Sequence, residues 1–106
     1  VSLPSAPWIG IYHQNITENL TDQLRLPDNK GVLVLDVIQG SPAAEAGLKA
    51  WDVIRRIGDT DIFSTDDVIA EISNYEVGDE IVLTVMRQGE IMLIPLTLGD
   101  KPAHLR

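Results

Sequence analysis

The stretch Gly40-Ser41-Pro42-Ala43-Ala44-Glu45-Ala46-Gly47-Leu48 decides how the rest of the chain is read. Ser41 is a strong helix N-cap, because its hydroxyl can accept from an otherwise unpaired N–H in the first turn. Pro42 suits the first helical position, where its missing N–H costs nothing. Gly47 is placed to end the helix in a left-handed conformation. The spacing predicts one compact helical turn, with small residues at 43, 44 and 46 that allow close packing.

Working outward, the run Val32 to Ile38 is almost continuously apolar and β-branched, which predicts a central strand covered on both faces. Pro27 to Gly31 reads as a turn. Thr17 to Leu24 reads as a short helix, with Ile16, Leu20 and Leu24 recurring on one face. Trp8 to His13 reads as a strand that starts just after Pro7. Downstream, Asp52 to Ile57 and Thr60 to Ile62 are short strands around Gly58-Asp59. Ser64 with Asp67 forms a capping pair ahead of a helix that runs to about Asn74. Glu80 to Arg87 and Glu90 to Thr97 are strands joined by a tight Gln88-Gly89 turn, and Pro95 assigns the last strand to an edge or a bulge.

The bulk numbers agree with a small globular unit. The 106 residues suffice for one core, with 44% apolar and 23% charged residues. The net charge of −8 opposes nucleic acid or an anionic membrane as a main partner, and Arg55-Arg56 is the only adjacent basic pair. No cysteine is present, so disulfide and thiolate chemistry are excluded. No apolar run approaches the roughly 18 residues of a membrane span, and no signal peptide is visible. The abrupt start and stop suggest a piece of a longer protein. The expected class is α+β: mainly strands, with short helices, forming a partly open barrel with a helix packed over one opening.

Together, Gly31-Val32-Leu33-Val34, the Gly40–Leu48 stretch and Trp51-Asp52-Val53-Ile54 resemble a PDZ domain, of the kind attached to HtrA (Deg) serine proteases. The likeness runs from about residue 8 to 98, leaving 1–7 as a linker and 99–106 as a flexible tail. The strand order suits the bacterial form of the fold, in which the peptide-binding strand comes first. In such domains an X-Φ-G-Φ loop, with Φ apolar, presents amides to a peptide's terminal carboxylate. Trp8-Ile9-Gly10-Ile11 matches that loop. A glycine there lets successive N–H groups converge on an anion.

The resemblance implies that a ligand adds as an antiparallel strand beside Ile11, Tyr12 and His13. Thr65, Ile69 and Ile72 share one helix face and form the other wall of the groove, with Val68 and Tyr75 turned to the core. A shift of one position would put Val68, Ile69 and Ile72 in the core together. Tyr12 is expected to point towards solvent, and His13 either meets a ligand side chain or is a partly exposed strand residue without a role.

Two departures from the family pattern stand out. Trp51 occupies a position that commonly holds glycine, and its turn is expected to have adjusted so that the indole covers apolar surface or a parent contact. Gly58-Asp59 replaces the usual Asn-Gly, and either pair makes a tight turn.

No metal or cofactor is expected: His13 and His104 are the only histidines, and the aspartates lack calcium-loop spacing. The serines at 2, 5, 41, 64 and 73 lack a nucleophile setting, so this chain is expected to be a binding domain rather than an enzyme. Asn15-Ile16-Thr17 and Asn19-Leu20-Thr21 match glycosylation acceptors formally, as chance triplets do. The implied partners are C-terminal or extended peptides ending in an apolar residue, and a parent protease domain. That parent would be periplasmic or membrane-anchored outside the cytoplasm. The alternatives are a PDZ module of another protease or secretion component, or an assembly module without a free-peptide ligand.

Overall fold

A computed structural model describes residues 6–102 and residue 104. The elements are β1 (Pro7–Trp8), β2 (Ile11–Asn15), α1 (Glu18–Gln23), β3 (Val32–Val37), α2 (Pro42–Ala46), β4 (Val53–Ile57), β5 (Thr60–Asp61), α3 (Thr65–Ile72), β6 (Glu80–Arg87), β7 (Glu90–Thr97) and β8 (Gly99–Asp100). A curled sheet runs β2-β3-β4-β6-β7 with β5 paired to β4, all antiparallel, and β1 pairs separately with β8. This is the α+β, partly open architecture expected from the sequence.

The deciding stretch folds as its residues dictate. Ser41 Oγ accepts from Ala44 N at 3.2 Å, Pro42 opens α2, and Gly47 closes it at φ 92°. Ser41 is itself fully buried, as is Ala43, so this small helix packs tightly against the sheet. The Gln88-Gly89 turn has φ of 52° and 83°, the doubly left-handed form that matches strand twist, and it sets Arg87 opposite Glu90. Pro95 lies in β7, which is an edge strand, so its missing donor breaks no ladder.

Ile54, Ile57, Leu83, Val85, Leu96 and Ile62 form the centre of the main core, which α3 closes with Val68 and Ile72. A satellite cluster joins Leu26, Leu33 and Val53 to Ile16, Leu20 and Leu24 from around α1. The apolar face read in that helix is therefore used.

Four expectations are corrected. Trp8 to His13 is not one strand: Gly10 at φ 86° breaks the extended backbone between β1 and β2. At the break, Ile9 O accepts from Ala43 N and Gly10 O from Ile38 N, both at 2.9 Å.

β3 is covered on both faces only at Val32, Leu33 and Val34, whereas Leu35 and Asp36 are exposed. The reason is pairing, since β4 pairs with β3 only at Val32 and Leu33.

Trp51 keeps a left-handed backbone at φ 75°, so the turn has not adjusted, and 60% of the residue is exposed. For a residue with a Cβ this conformation costs about 1–2 kcal/mol.

Finally, Gly99 and Asp100, read as the start of a loose tail, form β8 against Pro7 and Trp8. Residues 1–5, 103, 105 and 106, and with them Ser2 and Ser5, lie outside the described residues.

Candidate functional site

β2 has β3 along one edge and no strand along the other among the described residues. α3 stands beside that open edge, tied to the end of β2 by Thr65 N donating to Asn15 Oδ1 at 2.8 Å. Between them lies a cavity of about 470 Å³. Trp8, Ile9, Gly10, Ile11 and His13 line it from the strand side, and Val68, Ile69 and Ile72 from the helix.

Seven of the nine residues singled out from the sequence thus meet at one groove: Trp8, Ile9, Gly10, Ile11, His13, Ile69 and Ile72. Tyr12 and Thr65 do not line it. Tyr12 alternates to the other face and is 56% exposed, while Thr65 sits at the first turn of α3, where its amide is held by Asn15. The helix phase is intermediate between the two readings. Val68 and Ile72 belong to the core and also line the groove, whereas Ile69 is 63% exposed. Ile9 is likewise a core residue at the rim. Ser73 and Lys101 also contribute, and neither was expected. Lys101 arrives through the β1–β8 pair, with its N–H donating to Ala6 O at 2.8 Å.

The groove is apolar with sparse polar punctuation. His13 is half-buried, its Nδ1 atom is buried without a hydrogen-bond partner among the described residues, and burial lowers its pKa below 6.5. The unfolded chain therefore takes up this proton first as pH falls. Stability from His13 is present above about pH 6.5 and is lost as pH falls towards the lowered folded-state value. Urea unfolding at pH 7.5 and 5.5 should show a loss of stability that His13→Gln diminishes. An undiminished loss in the variant would assign it to other groups. Asp28 and Asp61 titrate lower still, because side-chain hydrogen bonds from Arg55 and Lys30 respectively hold their carboxyls below the usual range.

The three buried or capping hydroxyls near this region are engaged structurally. Ser41 Oγ and Ser64 Oγ cap helices, and Ser73 Oγ donates to Ala70 O at 2.6 Å. Asp67 completes the cap of α3 by accepting from Phe63 N at 2.9 Å. Among the described residues no group of three His, Asp or Glu could hold a metal ion. What the groove offers is an unpaired strand edge beside an apolar wall.

The PDZ domain family profile matches residues 7–98. The chain belongs to the PDZ family. It is a PDZ domain and not the catalytic domain of a protease. The domain is 37% identical to a stretch of the serine protease Do-like HtrA of Lactococcus lactis subsp. lactis, covering 95% of this chain and 26% of that protein. It is 34% identical to a stretch of a probable periplasmic serine endoprotease, DegP-like, of Bartonella henselae, covering 90% of this chain and 19% of that protein. The chain thus spans about a quarter or less of these curated relatives.

Among solved structures, the HtrA-type protease AlgW with a decapeptide matches at a TM-score of 0.82 and 26% identity, over 92% of this chain and 30% of that one. The HtrA3 PDZ domain bound to the phage-derived ligand FGRWV matches at 0.77 and 21% identity, over 92% and 89%, which shows the shared fold. The PDZ domain is therefore related to those of HtrA- and DegP-type serine proteases.

Proposed function

We propose that this PDZ domain captures the C-terminal or extended segment of a polypeptide by adding it as an antiparallel strand to the open edge of β2. The observation that carries the reading is that unpaired edge, facing α3 and closed at one end by Trp8-Ile9-Gly10-Ile11. Ladder alternation supports it. Gly10 O is engaged on the β3 side, so the N–H of the next residue, Ile11, is directed to the open edge. The amides of Ile9, Gly10 and Ile11 hold the terminal carboxylate, and Ile11, Ile69 and Ile72 receive the last, apolar side chain. His13 meets a ligand side chain further along the strand. Tyr12 and Thr65 border the groove, where a longer ligand reaches them. The relatives support the ligand class: one carries a decapeptide, and another a peptide that ends in valine.

The domain acts within a larger HtrA-like serine endopeptidase, to which it delivers or reports polypeptide ligands. That parent works outside the cytoplasm, in keeping with the probable periplasmic location of its DegP-like relatives.

Fluorescence anisotropy with a labelled peptide ending in valine tests the site. The free acid should bind with a micromolar dissociation constant, about −8 kcal/mol, and the C-terminal amide at least about tenfold more weakly. Equal affinity for acid and amide would remove the carboxylate loop from the reading.

A further inference from the structure

A second cavity, of about 490 Å³, shares no lining residue with the groove. It lies among the end of α1, the turn before β4 and the β6–β7 turn. Three of its features bear on what it could hold. Arg25, Trp51 and Gln88, which are all the non-glycine residues with positive φ among the described residues, line this one cavity. Backbone strain gathered in one place is a mark of functional surfaces.

The second feature is the exposed indole of Trp51, a large aromatic group held out beside the partly buried Met86. The third is charge. The lining carries three cations, Arg25, Lys49 and Arg87, against one carboxylate, Asp52, in a chain of net charge −8. Asp52 is already committed to Arg87, and among the described residues neither Arg25 nor Lys49 forms an ion pair.

We infer that this cavity is a second recognition site, for a short acidic segment of a partner polypeptide that carries an aromatic or leucine side chain. The apolar side chain packs on Trp51 and Met86, and flanking Asp or Glu residues pair with Arg25 and Lys49. Aromatic anchors ringed by charge are the usual centre of such contacts. Nucleic acid or an anionic membrane fits less well. Either would present an extended negative surface to a chain that is itself strongly negative, whereas a short segment meets only the local basic rim.

The test uses the 106-residue chain, labelled with 15N. The probe is acetyl-Asp-Glu-Leu-Phe-Glu-Asp-amide, which has no terminal carboxylate for the groove to read. Two-dimensional amide spectra should show saturable shifts at the Trp51 indole N–H and at the amides of Lys49 and Gln88. The isosteric acetyl-Asn-Gln-Leu-Phe-Gln-Asn-amide should bind at least about tenfold more weakly, as should the acidic probe to Lys49→Glu. Trp51→Gly should lose affinity by a similar factor while staying folded, since glycine adopts φ 75° without strain. No saturable shift at millimolar peptide, shifts confined to Ile9–His13, or unchanged binding by Trp51→Gly would each overturn the site. Tighter binding of phosphatidylglycerol vesicles or single-stranded DNA at Trp51 would overturn the acidic peptide as its occupant.

Discussion

Gly10→Val should unfold the domain, and not simply weaken ligand capture. A Cβ at Gly10 would collide with the Ser41 Cβ and lie 2.7 Å from its Oγ. The backbone there is at φ 86°, which a β-branched residue resists by about 1–2 kcal/mol. Ser41 cannot retreat cheaply, because it is fully buried and caps α2. Overpacking adds about 1–3 kcal/mol, and a displaced cap about 1 kcal/mol more. The combined loss of about 3–6 kcal/mol reaches the lower end of the roughly 5–15 kcal/mol by which a domain is stable. Urea unfolding followed by circular dichroism would report it directly. A variant within about 1 kcal/mol of the parent would mean that α2 can shift away without cost. The consequence for mapping the groove is practical. A Gly10 variant reports on folding, so Ile69→Ala, at an exposed position on the groove wall, is the cleaner probe of binding.

Arg87→Ala should be the second large loss, of about 3 kcal/mol. The Asp52 carboxylate is 1% exposed and receives both Nε and Nη2 of Arg87, at 2.8 and 2.7 Å. Without the guanidinium, only Lys49 N at 2.9 Å remains among its hydrogen-bond donors, and a buried charge stripped of its partner typically costs about 3–5 kcal/mol. The lower end applies because Arg87 itself is about a quarter exposed, which lets water reach the site. Arg87 also donates to Gly47 O at 3.0 Å, so the same side chain ties the end of α2 to the end of β6. The double variant Asp52→Asn, Arg87→Met should recover part of the loss, because it leaves no uncompensated charge. A single Arg87→Ala variant as stable as the parent would show that Asp52 draws its stabilisation from solvent. Arg87 stays charged throughout, its pKa raised further by the hydrogen bonds to Asp52.

What could be read from the sequence was local. The cap at Ser41, the stop at Gly47, the hairpin turn at Gln88-Gly89 and the limits of β6 and β7 each depend on a few adjacent residues, and each is found where expected. The Trp8–Ile11 loop came only from the family resemblance, because its residues alone read as one strand, which Gly10 at φ 86° breaks. What failed depends on distant partners. The pairing of Pro7 with Asp100 spans almost the whole chain, and two-residue strands carry no periodic signal. Lys101 therefore could not be assigned to the groove. Helical spacing brought Ile69 and Ile72 to the groove but not Thr65, and it could not say that Val68 and Ile72 serve core and groove together. The left-handed Trp51 ran against propensity, because the ladder around it, with Trp51 N donating to Val34 O at 2.8 Å, overrides local preference.

The pairing of β1 with β8 brings the two connections of the domain to a single spot, with Ala6 and Lys101 joined by a main-chain hydrogen bond. A parent chain would enter and leave through adjacent strands about 5 Å apart, like the two wires of a pendant lamp. The module could be excised and the flanking chain rejoined with little change in span. The proposed carboxylate loop begins within that same clasp, at Trp8. A ligand seated on that loop would therefore lie beside both strands that lead out of the domain.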